Sequence, residues 1–222
     1  LLLPAHRLDS SVSGLVCCGR TNSDVKRLSR RIALGEANKR YLAQIAISSW
    51  DRLDNLPLTI DQPVAFDSSR SIAYVDNIKG KRAVTVIEKC VQRNHTDDTA
   101  LVQIRLETGR KHQIRIHLQT CGMPIANDER YGGNRTQPHM SAFGLPEPPR
   151  ELKTLYQRHS DEQCEDCVFV QGLLAGKRDL GPSVNQGIWL HCWRYEFPTL
   201  ELEFESPLPS WAAVCTKQTE VL

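Results

Sequence analysis

Residues 101–118 read LVQIRLETGRKHQIRIHL, a stretch that contains a strand, a break and the start of a helix. The β-rich run Leu101 to Leu106 ends at Thr108-Gly109, a dipeptide that interrupts a strand. Beyond the break, residues recur at the spacing of one helix face, at Ile114, His117, Leu118 and Cys121. The stretch therefore predicts a strand followed by a short helix, with charged residues gathered at the junction.

Further strands are predicted on both sides of this unit. Ala83 to Glu88 is a second β-rich run, and the polar segment Arg93 to Thr99 between the two runs suggests a hairpin. Residues 41–47 and Trp189 to Tyr195 are also typical of strands, and residues 200–205 alternate apolar and acidic side chains like a half-exposed strand. Because hairpins outnumber strand-helix-strand crossovers, we expect an α+β domain on a mixed, largely antiparallel sheet with short flanking helices. A doubly wound nucleotide-binding fold is disfavoured, since no Gly-x-Gly-x-x-Gly follows a strand.

The first third of the chain predicts a strand and a helix. Residues 12–18 are short and apolar, as in a buried strand. The next segment has helical spacing at Val25, Leu28 and Ile32, with Asn22 or Ser23 as its N-terminal cap. Residues 57–71 show low periodicity, and we interpret them as a polar connection.

The composition changes between residues 132 and 187. Five prolines, an acidic Cys-x-x-Cys segment and several glycines fall in this part of the chain. We therefore predict a catalytic or binding domain formed by residues 1–131 and 188–222, with residues 132–187 as an insertion. The pair Cys164 and Cys167 is half of a typical zinc site, but a reduced pair in a loop is the interpretation we favour.

The charge of the chain is distributed unevenly. The formal net charge is only +2, which is less than a strongly basic nucleic-acid-binding domain carries. Basic residues nevertheless cluster between residues 20 and 40 and between residues 105 and 115. Such clusters suit a phosphate backbone bound on one face, although a solvated helix face explains the first cluster equally well. No apolar run approaches the ~20 residues that cross a bilayer, so we expect no membrane partner.

Three segments could carry chemistry. Asp9 lies in His6-Arg7-Leu8-Asp9-Ser10-Ser11, where it is either a catalytic carboxylate or a residue that caps a turn. Arg115 follows the helix start at Thr108-Gly109, where free backbone N–H groups favour anions, or it pairs with a surface acid. Tyr41 follows Lys39-Arg40 at the entrance to a strand, and a tyrosine in that position is more often part of the core.

Taken in order, these segments resemble the RluA-type family of RNA pseudouridine synthases, in its eukaryotic branch. The first resembles the catalytic-loop pattern His-Arg-Leu-Asp-x-x-Thr-Ser-Gly, and residues 39–43 resemble Lys-x-Tyr-x-Ala. Residues 80–85 and 108–118 are similar to two further motifs of that family, and Gly122-Met123-Pro124-Ile125-Ala126-Asn127-Asp128 continues the second of them. Val12 departs from the pattern, because it stands where the family usually has Thr. The family has strands before its catalytic loop, so we expect this chain to be shortened at its N-terminus.

The resemblance implies a cofactor-free isomerase that converts uridine to pseudouridine in structured RNA, either tRNA or rRNA. It implies Asp9 as the catalytic aspartate, Tyr41 as the tyrosine that stacks on uracil, and Arg115 as the arginine that pairs with the aspartate. We expect no metal ion, a monomer, and an intracellular location. The alternative is a catalytically silent RNA-binding homologue. Candidate RNA-binding residues are Arg7, Lys26, Arg27, Arg30, Arg31, Arg110, Lys111 and His112.

Overall fold

The computed structural model describes residues 2–95, 98–133, 187–209 and 211–212. Within these residues, most of the fold is one central sheet, with the strand order β11-β10-β4-β9-β8-β5. Its strands are β4 (Asn38–Ala46), β5 (Leu58–Asp61), β8 (Val84–Asn94), β9 (Thr99–Leu106), β10 (Leu190–Phe197) and β11 (Leu202–Glu205). Neighbours on this path pair antiparallel, and the short strand β2 (Ser13–Gly14) joins β10 in parallel. The sheet is therefore mixed and largely antiparallel, which confirms the predicted fold class.

The predicted hairpin is the centre of this sheet. β8 and β9 pair from Thr85 opposite Leu106 to Asn94 opposite Thr99, so both strands extend beyond the predicted runs. Two register shifts interrupt β8, between Ile87 and Lys89 and between Cys90 and Gln92. On its other side β9 pairs with β4, whose residues 39–46 face residues 106–99. These three strands therefore lie side by side in the order β4-β9-β8, and Tyr41 lies on β4.

Two short antiparallel pairs lie outside the central sheet. β1 (Leu3–Pro4) pairs with β3 (Cys18–Gly19), and β6 (Val64–Asp67) pairs with β7 (Ile72–Val75). The prediction of one buried strand over residues 12–18 was wrong, since this segment contains only β2 and the first residue of β3, and residues 15–17 between them belong to no strand. The interpretation of residues 57–71 as a polar connection with low periodicity was also wrong, because β5 and β6 lie there.

Helix α1 (Asn22–Ala33) begins one residue earlier than expected. Its N-cap is Thr21, whose hydroxyl accepts a hydrogen bond from the backbone N–H of Asp24, while the Asp24 carboxylate accepts one from the backbone N–H of Thr21. This capping box corrects the prediction of Asn22 or Ser23 as the cap. Leu28 and Ile32 pack against the main core, as their spacing predicted.

Helix α2 (Gln113–Thr120) and the face of β4 that carries Tyr41 form the main core. Ile114 and Leu118 of the helix pack with Ala43 and Ile45 of the strand. The opposite face of β4 is covered too, because Leu42 belongs to a smaller cluster with Leu101 and Ala212. β4 is thus buried on both faces, which explains why its apolar residues run almost continuously rather than alternating.

The edge strand β11 is more open than its pattern suggested. All four of its residues are exposed, including Leu202 and Phe204, so the predicted strand is present but not half-buried. None of the helices in the described ranges is long and apolar enough to cross a membrane. Most of the predicted insertion, with Cys164 and Cys167, lies outside the described residues, so that boundary and the zinc alternative stay predictions.

Candidate active site

A cleft of about 430 Å³ opens between the N-terminal loop, strand β4 and the start of helix α2. Asp9, Tyr41 and Arg115 all line it, although 106 residues separate the first from the last. The cleft is within the usual size range of small-ligand sites. The three residues chosen as catalytic from the sequence therefore share one cavity.

The loop that carries Asp9 is held at both ends by backbone hydrogen bonds. The N–H of Ala5 donates to the carbonyl of Cys17 at 2.8 Å, and the N–H of Leu15 donates to the carbonyl of Cys192 at 2.9 Å. Gly14 makes the second contact possible, since a Cβ on this residue would lie 2.2 Å from the Cys192 oxygen. The site thus has a rigid frame on either side of Asp9, as a positioned carboxylate requires.

Hydrogen bonds of polar residues on α2 fix the wall of the cleft opposite the N-terminal loop. The Gln113 amide oxygen accepts from the Thr108 hydroxyl at 2.8 Å and from the Arg110 N–H at 2.9 Å, while its nitrogen donates to the Val84 carbonyl at 3.0 Å. His117 hydrogen-bonds to the Thr85 hydroxyl at 2.9 Å. These buried bonds explain the polar residues on the inner face of a core helix, because buried polar groups require partners.

Arg115 is held mainly by a carboxylate that the sequence analysis did not select. Its Nε and Nη2 donate to the two oxygens of Asp128 at 2.6 and 2.7 Å, a bidentate pair in which both residues are buried. Its Nη1 lies 3.9 Å from Oδ2 of Asp9, which is an ion-pair distance but too long for a hydrogen bond. Asp128 therefore orients Arg115, and Arg115 presents its remaining nitrogen to Asp9.

Burial raises the pKa of Asp9, whose side chain is one quarter exposed. The positive charges of Arg115, Lys111 and Arg7 oppose this rise, and the negative charge of Asp128 adds to it. The cations thus offset part of the desolvation cost and favour the ionised carboxylate.

Tyr41 is almost fully buried at the floor of the cleft. Burial raises its pKa well above the ordinary value, and the nearby Cys192 thiol adds to the rise. Tyr41 is therefore a protonated phenol at neutral pH. Its ring can support a flat ligand, as aromatic residues do for bases removed from a stack.

His112 is a neutral imidazole beside Asp9. The N–H of Ala73 donates to the Tyr131 hydroxyl at 2.6 Å, and that hydroxyl lies 2.8 Å from Nδ1 of His112. The phenolic hydrogen is then free to point at Nδ1, which leaves the ring proton on Nε2, 3.9 Å from Oδ2 of Asp9. Burial and the nearby cations lower the pKa of His112 to about 4, so the ring is uncharged at neutral pH.

The candidate RNA-binding residues fall into two groups. Arg7, Arg110, Lys111 and His112 line the cleft, and the first three of them are exposed. The others lie on α1, where Lys26, Arg27 and Arg30 are exposed. Arg31 is less available, because its guanidinium bonds to Glu36 and to the Thr199 hydroxyl.

Sequence reasoning missed three residues of this site: Asp128, Tyr131 and Lys39. Asp128 and Tyr131 lie in or just after a segment whose resemblance to family motifs was noted without giving them a role. Lys39 was included in a basic cluster and in the Lys-x-Tyr-x-Ala pattern, but no role was given to it. Within the described ranges, no group of three or more His, Cys, Asp or Glu side chains is arranged to hold a metal ion.

Comparisons with known proteins agree on one family. The family described as RNA pseudouridylate synthase matches residues 2–120. RNA pseudouridine synthase 7 of Arabidopsis thaliana is 30% identical over 96% of the chain and 55% of the relative. The tRNA pseudouridine(31) synthase of Saccharomyces cerevisiae is 27% identical over 95% of the chain and 59% of the relative. The chain thus spans somewhat more than half the length of these curated relatives.

A solved structure shows the same fold. Human RNA Pseudouridylate Synthase Domain Containing 1 superposes with a TM-score of 0.60 at 19% sequence identity. The match covers 94% of this chain and 69% of the human chain.

Proposed function

Because the chain belongs to the RNA pseudouridylate synthase family, we propose that it isomerises uridine to pseudouridine in RNA, with Asp9 as the catalytic carboxylate. The observation that carries this proposal is the convergence of Asp9, Tyr41 and Arg115 in one cleft. In the reaction the bond between N1 of uracil and C1′ breaks, and a bond between C5 and C1′ forms. The proton of C5 leaves and N1 gains a proton, so the product is an isomer of the substrate. These bond changes take place within one nucleotide and require no oxidant and no second substrate.

The three residues take different parts in this scheme. Asp9 acts on the ribose or the base of a uridine that has left the stack; burial raises the pKa of its carboxyl, and the surrounding cations oppose that rise. Arg115 orients Asp9 and is itself fixed by Asp128. Tyr41 supports the uracil ring, and its hydroxyl assists the departure of the C5 proton. Since all three come from one chain, a monomer suffices for the reaction.

Binding of RNA is proposed to depend on the exposed cations at the rim of the cleft and on α1. Arg7 and Lys111 lie beside Asp9, where they can contact the phosphates that flank the target nucleotide. Lys26 and Arg30 are exposed on α1, whose residue Ile32 also lines the cleft. We expect the double variant with alanine at Lys26 and Arg30 to bind RNA more weakly. Its salt slope, the slope of the logarithm of affinity against the logarithm of salt concentration, should be smaller in magnitude by about 0.7–0.9 for each lost phosphate contact. Unchanged affinity would mean that the basic face of α1 is only solvated and does not contact RNA.

Transfer RNA is the first substrate to test, because the yeast relative is named for a tRNA position. The assay incubates the purified protein with tRNA that carries tritium at C5 of uridine, and measures tritium released to water. Asp9→Asn should abolish release, while Asp61→Asn, which changes an exposed aspartate on β5, should leave it unchanged. Tyr41→Phe keeps the ring but removes the hydroxyl, so it should bind RNA normally and release tritium more slowly. Equal release by wild type and Asp9→Asn would exclude Asp9 as the catalyst.

The same assay decides the alternative of a silent RNA-binding protein. Val12 lines the cleft where the family usually has Thr, and it offers no hydroxyl to a substrate. RNA binding without tritium release from any tRNA or rRNA would favour that alternative. Because RNA is made and modified inside cells, the proposed activity also implies an intracellular location.

A further inference from the structure

Lys39 is a largely buried lysine whose side chain lines the cleft. It lies on β4 two residues before Tyr41, so both side chains project from the same face of the strand. Only 9% of Lys39 is exposed, and the residue lines the cleft together with Tyr41. Burial lowers the pKa of Lys39, which shows that this environment is unfavourable for its charge.

No anion within the described residues compensates this charge. Arg115, in the same cleft, has Asp128, and Arg40, next along β4, has Glu88 and Glu196. The side chain of Lys39 makes neither an ion pair nor a hydrogen bond in the part of the chain that the structure describes, and the titratable group that raises its pKa is the Cys192 thiol. A buried charge without a partner costs free energy, so a residue of this kind calls for a ligand that supplies the opposite charge.

The ammonium group of Lys39 lies at the cleft, against the loop that leads to α2. A Cβ on Gly109 would lie only 3.2 Å from Nζ of Lys39, so the glycine allows the ammonium group to lie close to this loop, and both residues line the cavity. The same loop brings Arg110 and Lys111 to the cleft. Lys39, Arg110 and Lys111 therefore bring positive charge to the cavity, and Lys111 is also close enough to Asp9 to lower its pKa.

We propose that Lys39 binds a backbone phosphate of the uridine nucleotide whose base lies on Tyr41. This inference rests on the proposed function and extends it by assigning a phosphate subsite inside the cleft. Residues i and i+2 of a strand are roughly 6.6 Å apart, which is comparable with the distance between the base and the phosphate of one nucleotide. A lysine acts as a point charge in such a subsite and needs no fixed direction of approach.

A structural role and a ligand-binding role for Lys39 predict opposite effects of its replacement on the stability of the fold. If the long side chain stabilised the fold, its replacement would lower the melting temperature. If the charge is instead retained for a ligand, Lys39→Met removes an uncompensated charge and keeps a similar shape. The variant should then melt at the same temperature as wild type or higher, and still bind RNA less well.

The test measures affinity of the whole protein for a tRNA anticodon stem-loop by fluorescence anisotropy. We expect Lys39→Met to weaken binding about ten- to hundredfold and to reduce the salt slope by about 0.7–0.9. Lys39→Arg should retain most of the salt slope. Lys89→Met is the matched control, because Lys89 is an exposed lysine on β8 outside the cleft, and its binding should equal that of wild type.

A modified RNA identifies the phosphate. Stem-loops with a single neutral methylphosphonate on either side of the target uridine should bind wild type more weakly at one of the two positions. At that position Lys39→Met should cause no further loss, because the charge it contacts is already absent. The proposal would be overturned if Lys39→Met bound RNA with the affinity and salt slope of wild type. It would also be overturned if Lys39→Met lowered the melting temperature and its loss of RNA affinity added to the loss caused by the methylphosphonate. Since binding is measured without turnover, failure of tritium release leaves this test valid and points to the proposed function instead.

Discussion

Asp128→Asn is the substitution that tests the organisation of the site most directly. The Asp128 side chain is 1% exposed and accepts two short hydrogen bonds from the guanidinium of Arg115, which is 7% exposed. The amide retains the shape of the carboxylate and one acceptor oxygen, but it removes the negative charge. Arg115 is then a buried cation whose nearest carboxylate in the described site is Asp9 at 3.9 Å.

The expected loss of stability follows from the cost of leaving one buried charge without its partner. Removal of one member of a buried ion pair costs about 3–5 kcal/mol, and the retained acceptor places Asp128→Asn near the lower figure. Urea unfolding at neutral pH measures this loss as a lower midpoint at constant m-value. The double variant with Arg115→Met and Asp128→Leu leaves neither charge unpaired. We expect its stability to lie within about 1 kcal/mol of wild type, although it should be inactive.

The pH dependence of activity separates a specific effect from a general loss of stability. The charge of Asp128 raises the pKa of Asp9, and the charge of Arg115 lowers it. In Asp128→Asn the first influence is lost and Arg115 is free to approach Asp9, so the pKa of Asp9 falls. The acid limb of tritium release, which reports ionisation of Asp9, should therefore move to lower pH, while the maximal rate falls about hundredfold because Arg115 is misplaced. A variant that unfolds like wild type and keeps its rate and pH profile would refute the assignment of Asp128 as the residue that positions Arg115.

Three further substitutions test other parts of the structure. Gly14→Ala introduces a Cβ that would overlap the Cys192 carbonyl, at a residue with a φ of +115°. We expect the free energy of unfolding to fall by about 1–3 kcal/mol and the melting temperature to be lower. An unchanged melting temperature would contradict this packing. His112 has a pKa lowered to about 4 from 6.5, so the unfolded chain binds its proton first and wild-type stability falls as pH drops from 6.5 towards 4. Between pH 6.5 and pH 4 the free energy of unfolding of His112→Gln should fall by up to about 3 kcal/mol less than that of wild type. Urea unfolding at both pH values measures this difference. Thr21→Ala removes the hydroxyl of the capping box with Asp24 and should cost about 1 kcal/mol in the same unfolding assay.

The elements that were predicted correctly have long or strongly periodic sequence patterns. Helix α2 was predicted because its buried residues recur over two turns, and the β8–β9 hairpin because two β-rich runs flank a polar segment. Strand β5 was missed because Leu58–Asp61 is only four residues long, too short for alternation to be distinguished from chance. Residues 12–18 were predicted as a strand because they are apolar. They are apolar because they pack on β10 and on the core, although most of them form no ladder.

The site shows a similar division between local and tertiary information. Asp9, Tyr41 and Arg115 could be selected because each lies in a segment that resembles a family motif. The pairing of Arg115 with Asp128 could not be predicted, since it depends on how the segment after α2 folds back against the helix. The isolation of Lys39 is also invisible in the sequence, because Arg40 beside it has two carboxylate partners on the opposite face of the strand.

The two carboxylates near Arg115 differ in a way that assigns them different tasks. Asp128 is completely buried and uses both oxygens on one guanidinium, so it has no free acceptor directed at a substrate. Asp9 is one quarter exposed, lies on a loop that faces the cleft, and approaches Arg115 only at ion-pair distance. A carboxylate that must react cannot also be saturated with strong hydrogen bonds, because those bonds would have to break before it could act. The arrangement therefore fixes the cation with Asp128 and leaves Asp9 available, and the pH profile of Asp128→Asn measures this separation directly.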